Sequence, residues 1–291
     1  MSSISTNPLA DASPLCRLNV QTMTARYAAA SLSPLEVADA ALARASAVQD
    51  RYNAFASIDR AGALAAAAAA DERWRRGRPL SPIDGVPVTI KDIVQVQGWS
   101  VRYGSHSSSA AVCDSDAPSV ARLRAAGAVL LGMTTTPEFG WKAVTDNPLH
   151  GITRNPWRPE LTPGGSSGGA AAAAAAGAGV LHLGTDGGGS IRIPAAFCGL
   201  VGHKPSFGRV PAYPGSAFGT LAHLGPIARC VGDVSAMLDA MSGRDLRDWY
   251  QPIGNPPAFP PWRSAGPGWL TGPPRPAASC GRKWPRSWNG P

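Results

Sequence analysis

The sequence predicts an α/β fold, in which short buried strands and helices alternate along the chain. A strand-like run ends at Lys91, a helix opens at 116–119 and extends through Ala126, and an apolar run covers Ala128–Leu131. Such strand–helix–strand alternation is typical of a sheet layered against helices. At 291 residues, the chain is long enough to bury a large core in one or two domains.

Two helices are predicted ahead of the Lys91 run. The tetrapeptide Ser33–Glu36 is a capping box with proline at the first helical position, so a helix should begin there. One face of that helix carries Leu35, Ala38, Leu42 and Ala45. A second helix is predicted over Ala61–Arg75, because Gly77 and Pro79 follow it as stop signals.

The stretch Thr162–Pro194 contains two glycine-rich turns that each present serines, Gly164–Gly168 and Gly187–Ser190. Between them, Ala170–Ala176 consists of strong helix formers, and Val180–Leu183 is a short apolar run that we interpret as a buried strand. The sequence therefore predicts a turn, a helix, a strand and a second turn in close succession.

Regular structure after this stretch is predicted in short pieces. Before the stretch, prolines make Arg154–Pro159 a loop; after it, Ala195–Cys198 favours a short helix and Leu200–Val201 a strand. Asp233–Met241 is amphipathic at helical spacing, and Gly243 closes it.

Three glycines before Ser190 have a chemical use as well as a structural one. Without Cβ atoms, Gly187–Gly189 can adopt conformations that bring several backbone N–H groups toward one point. Acyl transfer needs such donors where a carbonyl oxygen becomes negative, and one donor is commonly worth about 3–4 kcal/mol of the barrier. The alternative for either glycine run alone is a flexible linker; the helix and strand between the two runs favour a folded site.

A serine nucleophile needs a group that takes its proton. None of the five histidines stands in an obvious triad pattern; they are His106, His150, His182, His203 and His223. A lone lysine is ordinarily a solvated surface charge. Lys91, however, ends an alternating, strand-like run, and a buried lysine can lose its proton and act as a base.

Three motifs together resemble those of the amidase signature family of serine hydrolases. They are PIDGVPVTIKDI at 82–93, TPGGSSGGAAA at 162–172 and GTDGGGSIRIPAAFCGLVGHKPSFGRV at 184–210. The resemblance extends from roughly Pro34 to Trp249. It implies a mixed sheet sandwiched between helices, and hydrolysis of a small-molecule carboxamide through a serine acyl-enzyme without a cofactor or metal.

Carried onto matching positions, the Ser-Ser-Lys triad of the family implies Ser190 as the acylated nucleophile and Lys91 as the ultimate base. Ser166 would bridge them and relay protons through a cis peptide. Asp186 and Arg192 would hold the nucleophile loop as a buried ion pair. The implied oxyanion hole consists of the backbone amides of Gly187, Gly188, Gly189 and Ser190.

Two other motif interpretations fit less well. Gly164–Gly168 also matches G-x-S-x-G, the nucleophile elbow of α/β-hydrolases, but that motif needs a strand directly before the serine. Here Pro156, Pro159 and Pro163 precede it. A P-loop is excluded because neither glycine run is followed by Gly-Lys-Ser/Thr.

Within the family, the glutamine-hydrolysing subunit of tRNA-dependent amidotransferase shares all three motifs and passes ammonia to a partner. It usually has threonine at the position of Gly187 and Tyr-Gly-Arg-Val-Ser at the position of Phe207–Pro211. The segment Thr134–Gly140 looks more like stand-alone amidases. We favour a stand-alone hydrolase. Two alternatives stay open: the amidotransferase subunit and a truncated, inactive product.

Composition argues against other partners and compartments. Five of the basic residues behind the net charge of +8 lie after Gln251, where no acidic residue occurs, so the charge does not indicate nucleic-acid binding. Five widely spaced cysteines indicate neither a zinc site nor a disulfide framework; small buried thiols in a reducing compartment are expected. The N-terminus lacks signal-peptide features and Ala65–Ala70 is too short to span a membrane, so a cytoplasmic location is expected. For the intact form of the family, the resemblance implies that a homodimer is possible.

The last 41 residues depart from the pattern of the preceding chain. Residues 251–291 hold eleven of the 28 prolines and four of the nine tryptophans, with no helix or strand period. We interpret residues 1–250 as an amidase signature domain that is incomplete at its C-terminus, and 251–291 as an unstructured tail from a truncated or frameshifted reading frame. A poorly packed tail and an unstable, weakly active chain are expected.

Overall fold

The structure, a computed structural model, describes residues 7–251. The predicted tail therefore lies outside the described residues, apart from Gln251. The strands are β1 Phe55–Ile58, β2 Pro87–Lys91, β3 Val129–Thr134, β4 Asp146–Asn147, β5 Gly151–Ile152, β6 Leu181–Asp186, β7 Val201–Gly202 and β8 His223–Ala228. The helices are α1 Val20–Ala28, α2 Pro34–Tyr52, α3 Arg60–Arg75, α4 Pro118–Ala125, α5 Gly168–Ala175, α6 Arg192–Phe197 and α7 Val231–Met241.

Six strands form one mixed sheet in the order β1-β3-β2-β6-β8-β7, and β4 pairs with β5 separately. The central strands β3, β2 and β6 are parallel, whereas β1, β8 and β7 join antiparallel to their neighbours. This confirms the predicted α/β fold with a mixed sheet. The run that ends at Lys91 is confirmed as a strand, β2, and all of it is buried, as expected for an interior parallel strand with both faces covered.

Helices pack on both faces of the sheet. In β3, Val129 and Leu131 belong to a core cluster with residues of α2 and α3. Leu130, which points to the other face, belongs to a cluster with residues of α4 and α7. Within the part of the chain that the structure describes, no helix is long and apolar enough to cross a membrane.

Most predicted helices are confirmed to within a few residues. The capping box is complete: Ser33 Oγ accepts the Glu36 amide at 3.1 Å, and the Glu36 carboxylate accepts the Ser33 amide at 2.8 Å. The helices at α3, α4, α5 and α7 begin within two residues of the predicted starts. The predicted short helix near 195 begins three residues earlier, at Arg192.

Five helices and strands are absent from the sequence prediction: α1, β1, β4, β5 and β8. β8 contains Gly225 and Pro226, both of which argue against a strand in the sequence. The structure explains the glycine, because a Cβ at Gly225 would lie 2.3 Å from the His203 carbonyl oxygen. β1 is only four residues long and gives little periodicity to detect.

Every residue of α5 is buried, so this helix has no solvent-facing side. Its small side chains allow neighbouring backbone to come unusually close. A Cβ at Gly169 would lie 2.4 Å from the Thr135 amide nitrogen and 2.5 Å from the Ala54 carbonyl oxygen. The small residues of this segment are therefore a packing requirement.

We expect Gly169→Ala to destabilise the protein by about 1–3 kcal/mol, because the new methyl group meets backbone that cannot move aside. Gly232→Ala is the matched control: Gly232 is also the second residue of its helix, and a Cβ there meets no described atom within 4 Å. Its substitution should be neutral or stabilising by up to about 1 kcal/mol. Denaturant unfolding of both variants checks this, and equal effects would contradict the packing argument.

Candidate active site

The predicted site residues meet at the carboxyl ends of two neighbouring parallel strands. Lys91 ends β2 and Asp186 ends β6, and the two strands pair in register at Ile90 and Leu183. The turn before α5 supplies Ser166, and the glycines after β6 lead to Ser190. A hydrogen bond of 3.1 Å from the Ser167 amide to the Ser190 carbonyl oxygen joins the two serine turns.

Lys91 is fully buried at this end of the sheet. Its Nζ lies 2.6 Å from Ser166 Oγ and 2.8 Å from Thr185 Oγ1. Burial lowers the pKa of Lys91 to about 7, although the negative charge of Asp186 opposes this shift. A substantial neutral fraction near pH 7 follows, since no carboxylate of the described residues is hydrogen-bonded to the amine.

Ser166 and Ser190 line one cavity of about 340 Å³, together with Thr185, Gly187 and Gly188. The peptide bond between Gly165 and Ser166 is cis, as the family resemblance implied. Among residues 7–251, no group is hydrogen-bonded to Ser190 Oγ. The structure therefore contains the contact between Lys91 and Ser166, and it places Ser190 in the same cavity without a direct bond to Ser166.

Asp186 organises the loop that carries Ser190. Its carboxylate accepts the Gly189 amide at 2.7 Å, the Ile191 amide at 3.1 Å, and Arg192 Nε and Nη2 at 2.9 Å each. Burial raises the pKa of Asp186, but these hydrogen bonds outweigh it and hold the pKa at about 2. The carboxylate is therefore ionised at any pH at which the protein is normally studied.

The ion pair of Asp186 with Arg192 differs from the buried pair that the sequence suggested. The Asp186 side chain is fully buried, but that of Arg192 is 54% exposed. Arg192 opens α6 and reaches back to the carboxylate from the surface. Only the carboxylate is removed from water, and hydrogen bonds from backbone amides, together with Arg192, compensate its loss of hydration.

The predicted oxyanion hole also needs a correction. The Gly189 N–H donates to Asp186, so it is not free to face a substrate oxygen. The amides of Gly187, Gly188 and Ser190 have no hydrogen-bond partner among the described residues. Gly189 also has φ +123°, a conformation that residues with a Cβ rarely adopt. Three of the four predicted donors thus remain available.

Sequence reasoning missed two further residues of the site. Thr185 bonds to Lys91, and Ser167 Oγ lies 3.2 Å from the Thr185 carbonyl oxygen and 3.3 Å from its amide nitrogen. The register of β2 against β6 would have placed Thr185 beside Lys91, but register cannot be obtained from one sequence. No group of three or more described His, Cys, Asp or Glu residues is arranged to hold a metal ion.

Comparison with known proteins agrees with this geometry. The family model Amidase matches residues 36–260 of the chain. The indoleacetamide hydrolase of Bradyrhizobium diazoefficiens is 43% identical over 258 residues, which cover 85% of this chain and 49% of that protein. A glutamyl-tRNA(Gln) amidotransferase subunit of Chloroflexus aurantiacus is 44% identical over 244 residues, covering 83% of this chain and 50% of that protein.

Solved structures of amidases also match this chain. The crystal structure of a bacterial aryl acylamidase, which belongs to the amidase signature enzymes, superposes with a TM-score of 0.75 at 31% identity over 82% of this chain and 50% of that one. The chain spans about half the length of the curated relatives it matches. The family match covers most of the chain and the described fold agrees with it, and the chain therefore belongs to the Amidase family, that of the amidase signature enzymes.

Proposed function

We propose that this chain carries the catalytic centre of an amidase, which hydrolyses a carboxamide to a carboxylate and ammonia or an amine. The observation that carries the proposal is the fully buried Lys91, hydrogen-bonded to two hydroxyl groups and to no described carboxylate. A neutral amine has a free lone pair, and here it adjoins a serine that lines a cavity with a second serine.

In this mechanism Lys91 accepts a proton from Ser166, which in turn takes the proton of Ser190. Ser190 Oγ forms a bond to the amide carbon, and the amides of Gly187, Gly188 and Ser190 stabilise the resulting oxyanion. The proton held on Lys91 returns through Ser166 to the leaving nitrogen as the C–N bond breaks. Water then attacks the acyl-enzyme by the same relay and releases the carboxylate.

Thr185 has a positioning role in this scheme. A neutral amine carries two N–H donors and one lone pair. If one N–H points to Thr185 Oγ1 at 2.8 Å, the lone pair can face Ser166 Oγ at 2.6 Å. Ser167 fixes Thr185 through its backbone. These contacts support a fixed orientation of the base, which proton transfer requires.

The relatives support an amidase but differ in what they act on. One is an indoleacetamide hydrolase, one an aryl acylamidase and one a glutamyl-tRNA(Gln) amidotransferase subunit. Glutamine hydrolysis in concert with a partner is therefore the second candidate, favoured by the 44% identity to the amidotransferase. Because the chain covers about half of each relative, the activity, the substrate and any partner all belong to the proposal.

We expect Ser190→Ala to lose at least about 10⁴-fold in kcat/KM on any amide that the protein hydrolyses, since the nucleophile is removed. Ser31→Ala, at an exposed serine far from both turns in the sequence, should keep full activity. A serine-reactive phosphonate should label Ser190 in the unaltered protein, as detected by mass spectrometry. Persistent turnover in Ser190→Ala would contradict the assignment of the nucleophile.

The pH profile tests Lys91 as the base. Only the neutral amine can accept a proton, so kcat/KM should rise with pH through an inflection at about 7 and level off above it. Lys91→Arg should be inactive throughout, because a guanidinium stays protonated, and Lys91→Ala should retain only a trace of activity. Lys204→Arg is the control: Lys204 does not line the cavity that holds Ser166 and Ser190, so the pH profile of this variant should be unchanged. A flat profile between pH about 5 and 9 would count against Lys91.

The two candidate functions are separated by ammonia release. A stand-alone amidase should release ammonia from simple primary amides without any other protein. The glutamine-hydrolysing component of an amidotransferase should release it from glutamine, and only when its partners are added. We expect the first result. Glutamine hydrolysis that appears only with partners would reverse the choice.

A further inference from the structure

A second cavity of about 380 Å³ lies directly beside the candidate active site. Thr185 and Phe218 line both cavities, so the two are adjacent at these residues. Four aromatic side chains surround the second cavity: Tyr103, Phe139, Tyr213 and Phe218. The mechanism proposed above uses none of them.

The second cavity has no charged lining among the described residues. Its polar lining residues are Gln95, Thr185, Ser216 and His223, together with the phenol groups of Tyr103 and Tyr213, and no described Asp, Glu, Lys or Arg lines it. A carboxylate or ammonium group placed there would lose its hydration without gaining a counter-charge, which is costly. The lining thus selects against charged groups and favours flat, apolar ones.

Tyr103 and Phe139 form one side of this cavity as a pair. Their ring centroids are 6.0 Å apart at an interplanar angle of 30°, and the Phe139 amide donates to the Tyr103 carbonyl oxygen at 2.8 Å. Both residues have φ +52°, the left-handed region that bulky residues seldom adopt. Two such residues, bonded to each other and lining one cavity, indicate a local constraint that serves a function.

A buried carboxylate holds the Tyr103 turn in place. Asp92 accepts the Arg102 amide at 2.8 Å and the Gly104 amide at 3.1 Å, so its two oxygens bind the backbone on either side of Tyr103. Asp92 is itself almost completely buried. The Tyr103 ring is therefore placed by the backbone as well as by contacts of its own side chain.

We propose that the second cavity binds an uncharged aromatic substituent of the amide substrate, with Tyr103 and Phe139 as its stacking surface. This inference rests on the proposed function, because the adjacent cavity can receive a substituent of the substrate only if the amide is held beside Ser190. Aromatic stacking of this kind changes affinity by up to about tenfold beyond the area buried.

The test measures binding rather than turnover. The full chain carrying Ser190→Ala is titrated by calorimetry with phenylacetamide, with propionamide and with a phenylacetamide that bears a para-carboxylate. We expect phenylacetamide to bind about tenfold tighter than either of the other two. Adding Tyr103→Leu or Phe139→Leu should remove most of this preference, whereas Tyr103→Phe, which keeps the ring, should retain it. Trp249→Leu removes an aromatic side chain that is 82% exposed and lines neither cavity, and it should change nothing.

The outcomes separate the subsite from the chemistry. Equal affinity for phenylacetamide and propionamide, or no loss of preference in both leucine variants, overturns the subsite even if the unaltered protein hydrolyses amides. A ring-dependent preference in a protein that shows no Ser190-dependent turnover leaves the subsite standing and removes the proposed function. Melting temperatures of the leucine variants check that these variants are folded when the preference for phenylacetamide is lost. If they do not fold, the comparison of the three ligands on the Ser190→Ala chain still tests the subsite.

Discussion

The site depends on one constraint, which is that a fully buried amine lies at the carboxyl end of an interior strand of the sheet. Lys91 is enclosed by β3 and β6, and transfer of a charged ammonium into such surroundings is costly unless a counter-ion meets it. The nearest acceptors among the described residues are hydroxyl oxygens, and the carboxylate of Asp186 is occupied by Arg192 and by backbone amides. The protein thus stabilises the neutral amine and keeps the negative charge committed elsewhere.

Close backbone packing brings the three chain segments together around that amine. A Cβ at Gly184 would lie 2.9 Å from Ser167 Oγ, so β6 can carry Thr185 to the amine only because its neighbour has no side chain. The alanines of α5 likewise allow close packing, and every residue of this helix is buried. The glycines, which alone could suggest a linker, and the helix-forming alanines therefore allow the serine turns and the strand ends to meet.

The sequence predicts well what depends on local signals, and less well what depends on backbone direction. The capping box at Ser33 and the glycine-serine turns are local, and the structure contains both. Which amide of the nucleophile loop faces inward depends on φ and ψ, so the bond from Gly189 to Asp186 could not be foreseen. The exposure of Arg192 and the contact of Thr185 with Lys91 depend on tertiary packing in the same way.

Lys91 and Asp92 are adjacent at the end of β2, and burial shifts the pKa of each toward the neutral form. Burial raises the pKa of Asp92 to about 6, against the pull of the amides that it binds, while burial lowers the pKa of Lys91 to about 7. Above about pH 7 the amine is neutral and the carboxylate is ionised, so a free base coincides with full hydrogen bonding to the Tyr103 turn. Below about pH 6 both groups become protonated, and the base and the support of the turn are weakened together. One strand end thus carries both the proposed base and the carboxylate that holds the Tyr103 turn, and both are in the form that each role needs above about pH 7.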